Sequence, residues 1–504
     1  MSQPNPYPGR RRRKKPRILL VTPEVTELPE GIGNAANFVR AKGGGLADIS
    51  AGLFAYLHQT DEFDVHIAMP KYDRQFVGDS ALFRRLELDA PKWERKGIHL
   101  VADSAFTNLR EVYEQTGENS PVRRSLALQR MVINRFLDTL TPDLVHCNDW
   151  MTGLVPAACR ERGIPCVFTI HNLFTYWSTP SHIDFHGIDA RRLKHLLWYQ
   201  WFPSFSDGDW HYNHVDFAST GVFSASVVNT VSPTFADEVR NGEHDGWAPA
   251  SLLAAIKQHR NFIGILNAPN ETVRPELDGR GFVPFDASTV EQGKTRNKAK
   301  LQLAMGLELA PERPVLFWPH RLYQQKNPQL VLNTIDHAIE RHGAQLAVVA
   351  NGDASTEAAF DALSQARRGS VSRMRFNQEL SELARAGADF MVMPSSYEPC
   401  GLPQLESPRF GTLPIVRATG GLADTVSELD GERGNGFVFE EESSQALGDA
   451  VERAMAFYGQ SDRLVTLSRI MRESMERFSL KTTTESYMAI YRELLSGGGL
   501  VAAG

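Results

Sequence analysis

Short apolar runs alternate with helix-spaced segments twice along this chain, and that double alternation restricts the fold more than any other feature. The first series opens with Arg17–Thr22 and continues into Leu46–Leu57, where Ile49, Leu53, Tyr56 and Leu57 recur at helical spacing. Asp64–Met69, Asp143–Cys147, Pro165–Ile170 and Val227–Val231 read as further strands, with a helix over Val122–Leu140. Ser232-Pro233 predicts an N-cap followed by proline at the first helical position. The second series begins at Pro314–Trp318. It continues through a helix bearing Val331, Ile335, Ala338 and Ile339, stopped by Gly343, to the strands Gln345–Ala350, Phe390–Pro394 and Leu413–Val416. A last helical stretch covers Leu480–Leu495. Two successive series of this kind imply an α/β protein with two doubly wound, parallel-sheet domains.

Between the series, Asn267 to Lys294 is rich in proline, glycine and acidic residues and reads as a linker. The expected organisation is a disordered basic tail over 1–16 and a first Rossmann-like domain over 17–270. A linker over 271–295, a second Rossmann-like domain over 296–479, and a helix over 480–496 packing back toward the first domain follow. The block Arg10–Lys15 is expected to be a solvated tail. Ile18–Thr22 is too short for the apolar core of a signal peptide. With 42% hydrophobic residues in 504, both domains have enough apolar side chains to form cores. A net charge of −6 argues against a nucleic-acid partner, and the lack of an eighteen-residue apolar run argues against a membrane span. Cys147, Cys159, Cys166 and Cys400 form no CxxC pair and are too few for a disulfide framework. Reduced thiols in a cytoplasmic protein are therefore expected.

In doubly wound sheets, ligands sit beyond the C-terminal strand ends, and between two such domains the cleft is the natural site. The polar clusters fall at those strand ends. Lys42-Gly43-Gly44-Gly45 precedes the first strong helix, where glycines admit a ligand to the backbone and a helix N-terminus favours an anion. No GxxxxGK[ST] or GxGxxG is present. His146-Cys147-Asn148-Asp149-Trp150 and Thr169-Ile170-His171-Asn172 each follow a strand and offer hydrogen bonds to sugar hydroxyls, or merely cap the strand ends. Arg321 and Lys326 follow the strand ending at Trp318 and form a diphosphate clamp if their loop turns. Glu398 sits ahead of a helix beginning near Leu402, either facing a sugar or capping that helix. Thr419-Gly420-Gly421 repeats the strand, glycine pair and helix arrangement and reads as a second anion seat. His182 and His186, and His211 and His214, lack HExxH or a telling third ligand, so no metal site is expected.

In their order, these blocks resemble the glycogen/starch synthase family, retaining glucosyltransferases of the GT-B fold, over roughly residues 17 to 495. The run EPCGLPQLESPRFGTLPIVRATGGLADTV, from Glu398 on, is the most specific part. The resemblance implies transfer of glucose from ADP-glucose to the non-reducing end of an α-1,4-glucan, such as glycogen or a maltooligosaccharide. Configuration would be retained, with no metal or other cofactor. It places Lys42, Gly44 and Gly45 at the donor phosphates, and His171, Asp149 and Asn172 on the glucose and acceptor side. Asn267 would hold a sugar hydroxyl, and Arg321 and Lys326 would neutralise the leaving diphosphate. Glu398 and the backbone of Cys400, Gly401 and Leu402 would grip the transferred glucose, and Thr419, Gly420 and Gly421 would belong to the substrate site, the glycine pair helping to hold ADP. Phe376 matches an aromatic that stacks on the base.

The chain departs from the family pattern at named positions. Lys-Thr-Gly-Gly is here Lys42-Gly43-Gly44-Gly45, and Gly-Ile-Asp after Asn267 is Ala268-Pro269-Asn270. Val-Ser before the clamp arginine is Pro319-His320, and the threonine after EPCGL is Pro403, which supplies neither hydroxyl nor N–H. Two other readings stay open at this level: a donor or acceptor of another kind, such as UDP-glucose or a small sugar, and a weakly active glucan-binding homologue. Oligomeric state is not legible in the sequence.

Overall fold

A computed structural model describes residues 15–25, 45–72, 96–107, 109, 112, 120–205, 208–277, 281–431 and 433–497. The chain divides into two units: residues 1–229, 242–262 and 484–504 form the first, and residues 230–241 and 263–483 the second. The division differs from a boundary at 270, because Thr230–Asn241 leaves the first unit and packs within the second.

The first unit is built on strands β1 (Arg17–Val21), β2 (Asp64–Pro70), β3 (Ile98–Val101), β4 (Leu144–Asn148) and β5 (Cys166–Ile170). A short antiparallel pair follows, β6 (Trp177–Ser178) and β7 (Val215–Asp216), before β8 (Val227–Thr230) and β9 (Phe262–Gly264). The seven-stranded sheet runs β3-β2-β1-β4-β5-β8-β9. Its β1, β2, β3, β4 and β5 pair in parallel. Ile18 to Val21 are buried without alternation, as a strand covered on both faces requires. Arg17 ties the starts of neighbouring strands together. Its Nε donates to Asp64 Oδ2 at 2.7 Å, its backbone N–H to Asp143 Oδ2 at 2.7 Å, and a guanidinium N–H to the Leu140 carbonyl at 2.6 Å.

The helix expected over Val122–Leu140 is three pieces. Pro121–Met131 is α-helical and capped by the Ser120 hydroxyl, Val132–Phe136 widens to a π turn, and Leu137–Thr139 resumes the α form. The four cysteines are free and buried, with Cys147 and Cys166 sulfurs 3.9 Å apart.

The second unit carries β10 (Val315–Trp318), β11 (Gln345–Val349), β12 (Val371–Met374), β13 (Phe390–Met393), β14 (Leu413–Arg417) and β15 (Phe437–Phe439). All pair in parallel, in the order β12-β11-β10-β13-β14-β15. The expected linker over 271–295 is a packed part of this unit, which corrects the sequence reading. Phe282 and Phe285 lie in its core, with the Phe282 ring 5.5 Å from that of Phe410. The helix Val290–Met305 begins inside the range, and its buried Lys294 bonds the Ala388 carbonyl and Thr412 Oγ1. Proline and glycine set the local path, but two phenylalanines decide where it is buried.

The strand order reverses once in each sheet, between β1 and β4 and between β10 and β13. Neighbouring connections leave in opposite directions there, opening a crevice beyond the C-terminal strand ends. In the first unit these ends deliver Thr22–Glu24 and Asp149. In the second they deliver His320–Arg321 and Ser395–Glu398.

Candidate active site

Lys42 and Gly44 lie outside the described residues, and Gly45 is the exposed first residue of the helix Gly45–Thr60. Beyond β4, Asp149 has φ 58° and ψ 175°, a region nearly restricted to glycine. Two contacts hold it there. Its N–H donates to the Thr169 carbonyl at 2.9 Å, and its Oδ1 accepts from the His171 N–H at 2.7 Å. Burial and the nearby Glu24 carboxylate push Asp149 up to about 7, against the lowering effect of the backbone N–H groups of His171 and Asn172. Asp149 therefore shapes the turn that carries His171 and Asn172, and Asn172 is exposed.

His171 Nε2 lies 3.0 Å from Asn148 Oδ1, whose amide nitrogen donates to the Val21 carbonyl. That assignment puts the ring proton on Nε2 and leaves Nδ1 as an acceptor. Burial lowers His171 to about 3, so the imidazole offers hydrogen bonds rather than charge at neutral pH.

In the second unit, the turn after β10 is fixed by Trp318 Nε1 donating to the His320 carbonyl at 2.7 Å. His320 is buried, its Nε2 has no hydrogen-bond partner among the described residues, and burial and Lys326 keep it neutral. Arg321 is exposed on the same turn. The short helical turn Gln324–Lys326 is joined to the loop after β13. Ser396 N–H donates to the Gln325 carbonyl at 3.0 Å, and the Gln325 amide to the Tyr397 carbonyl at 3.2 Å. This brings Lys326 Nζ to 2.6 Å from Glu398 Oε2, which also accepts from Ser395 Oγ at 3.1 Å. Two residues read separately from the sequence are thus one ion pair. Glu398 does not cap the following helix: Pro403–Glu406 starts after Leu402, four residues on.

Gly401 has φ 72°, and the Gln404 amide donates to the carbonyls of Cys400 and Gly401 at 2.8 and 3.1 Å. Pro403 occupies the first helical position, where no intrahelical N–H bond is lost. Asn267 is buried and its backbone N–H donates to the Val231 carbonyl at 3.3 Å. Asn267 Oδ1 is a buried acceptor with no partner among the described residues. Phe376 is 54% exposed, with its N–H on Asn351 Oδ1.

The second anion seat is already filled, which corrects the reading of Thr419 and Gly420. Glu238 Oε1 accepts from Gly420 N–H at 2.7 Å and Thr419 Oγ1 at 3.0 Å. Gly421 N–H donates to the Glu398 carbonyl at 3.0 Å. The glycines serve close packing instead. A Cβ on Gly420 would stand 2.0 Å from the Glu398 carbonyl oxygen, and one on Gly421 2.1 Å from that of Cys400. The helix Pro233–Asn241 also bonds Asp424 through Thr234, and Ser232 Oγ donates to the Pro399 carbonyl at 2.6 Å. Sequence reading missed Glu238. Its signal was a carboxylate on the same helical face as the buried Phe235 and Val239, a position that demands N–H partners.

His182 and His186 do share a face, with Nε2 atoms 3.1 Å apart. Among the described residues no group of three or more His, Cys, Asp or Glu side chains is placed to hold a metal ion. Among them, too, no helix is long and apolar enough to cross a membrane.

Two parallel-sheet Rossmann-like units with polar loops at each switch point define a GT-B glycosyltransferase. Residues 17–253 match the starch synthase catalytic domain and residues 305–468 the glycosyl transferases group 1 family. The chain belongs to the glycogen/starch synthase family. It is 32% identical over 500 residues to a glycogen synthase of Thermotoga maritima, covering 92% of this chain and 98% of the relative. It is 33% identical over 515 residues to glycogen synthase 1 of Methylococcus capsulatus, covering 95% and 97%. Among solved structures it resembles the catalytic domain of starch synthase IV from Arabidopsis thaliana bound to ADP and acarbose. That match has a TM-score of 0.76 at 25% identity, covering 96% of this chain and 100% of the other.

Proposed function

We propose that this glycosyltransferase transfers glucose from ADP-glucose to the non-reducing end of an α-1,4-glucan, with retention and without a metal ion. The observation that carries the reading is the Lys326–Glu398 pair at the switch point of the second sheet. The family membership and the ADP and acarbose held by the Arabidopsis relative support it.

Glycosyl transfer breaks the bond from the anomeric carbon to the diphosphate oxygen, and the electron pair leaves with the diphosphate. The sugar becomes electron-poor as the leaving group gains charge. Lys326 and Arg321 are cations suited to that leaving diphosphate. Glu398, held by Lys326 and Ser395, is a carboxylate suited to the electron-poor sugar or its hydroxyls. Asn267 Oδ1, without a partner among the described residues, is an acceptor for a sugar hydroxyl, and Phe376 offers an exposed ring for a base. In the first unit, neutral His171 and exposed Asn172 supply hydrogen bonds for glucose or glucan hydroxyls.

The deciding experiment is incorporation of labelled glucose into glycogen from ADP-glucose and from UDP-glucose. Faster incorporation from ADP-glucose is expected. Preference for UDP-glucose would overturn the donor, and glycogen binding without turnover of either would overturn the activity.

A further inference from the structure

A directed chain of buried hydrogen bonds runs beneath His171. Tyr491, on the C-terminal helix Leu480–Ser496, has its hydroxyl 2.6 Å from His146 Nδ1. His146 Nε2 lies 2.7 Å from Thr169 Oγ1, and Thr169 donates to Asn229 Oδ1 at 2.7 Å. The Asn229 amide donates to the Tyr487 hydroxyl at 3.0 Å, back on the same helix. All five side chains are buried. The direction follows from the chemistry of the groups. Thr169 spends its only proton on Asn229, so it accepts from His146 Nε2–H. His146 Nδ1 is then an acceptor and takes the Tyr491 proton.

The chain lies one step below the candidate site. Side chains two residues apart on a strand share a face, so His146 stands below Asn148 on β4, and Thr169 below His171 at the end of β5. Two rungs result: His146–Thr169 at 2.7 Å and Asn148–His171 at 3.0 Å. The Asp149 N–H on the Thr169 carbonyl joins them through the backbone.

We infer that the C-terminal helix is a positioning element for His171: through Tyr491 and the His146–Thr169 rung it sets the spacing of β4 and β5 on which the His171–Asn148 contact depends. Tyr491, His146 and Thr169 are positioning residues. The kinetic part of the inference rests on the proposed glucan-elongating function, whereas the geometric part does not.

The test uses the full chain with ¹⁵N-labelled histidine. Tyr491→Phe keeps the ring and removes the donating hydroxyl, so His146 and His171 ring-nitrogen resonances should both shift. In the same variant kcat for glucan elongation should fall roughly tenfold, the scale of a sub-ångström misplacement of a positioning group, with ADP affinity within about twofold of wild type. Thr169→Val should reproduce both effects, and Thr169→Ser, which restores the hydroxyl, should reverse them. His171 resonances unmoved in Tyr491→Phe and Thr169→Val would overturn the inference. So would equal losses in kcat and ADP affinity, the pattern of general destabilisation. A wild-type protein that elongates no glucan would overturn the functional reading alone, since the resonances still decide the positioning.

Discussion

Lys326 Nζ and Glu398 Oε2 lie 2.6 Å apart, although 72 residues separate them in the chain. Their side chains are 18% and 7% exposed, so each depends on the other for compensation of a charge held largely away from water. The pair ties the loop after β10 to the loop after β13.

Lys326→Ala should lower kcat/KM by about 30-fold or more, corresponding to roughly 2 kcal/mol for a charge-assisted contact in a shielded site. Glu398→Ala should lower kcat far more than it weakens ADP binding, because ADP lacks the glucose that Glu398 is proposed to face. Glu398→Gln separates hydrogen bonding from charge. Steady-state kinetics with ADP titration on the three variants checks this. Wild-type kcat in Glu398→Gln would remove the electrostatic role.

Activity should survive excess EDTA, since Arg321 and Lys326 are proposed to balance the diphosphate. Loss of turnover that returns with Mg²⁺ or Mn²⁺ would contradict the assignment.

Glu238→Ala should destabilise the second unit by about 1–3 kcal/mol, because Gly420 N–H and Thr419 Oγ1 lose their acceptor in a buried place. Glu238→Gln keeps an acceptor oxygen and should cost less. Denaturant unfolding of the two variants gives the comparison. Equal stability of Glu238→Ala and wild type would show that the bonds contribute nothing net.

Stability should fall as the pH drops below about 6. Burial lowers His99 to about 4 and His146 and His171 to about 3, from an unfolded value near 6.5. The unfolded chain therefore binds protons at these sites first, and their contribution is complete above pH 6.5 and lost as pH falls toward the folded values. Asp149, raised to about 7, acts in the opposite sense: the folded chain keeps its proton between about pH 4 and 7, and that contribution is lost as pH rises. His186, His259 and His320 are lowered by burial too, and the lowered histidines outnumber the two raised aspartates, Asp149 and Asp216, so unfolding between pH 6 and 5 should take up net protons, each adding a slope of about 1.4 kcal/mol per pH unit. Urea unfolding at pH 7, 6 and 5 measures the slope, and a flat profile would contradict these shifts.

By itself the sequence determined that two parallel βα units form, since apolar runs such as Ile18–Val21 and Val315–Trp318 are long enough only for strands covered on both faces. It also placed His171, Arg321 and Glu398 just past strand ends, because polar residues there follow directly on apolar runs. The tertiary structure alone decided which strands became neighbours. Periodicity is blind to strand order, and the adjacency of β10 and β13 is what turns Lys326 and Glu398 into a pair. The same holds for Glu238, whose carboxylate fills what looked like a ligand's seat at Gly420, and for Phe282 and Phe285, which convert a linker-like stretch into core. Each of these is a contact between distant segments, and no local pattern encodes a partner 72 or 182 residues away.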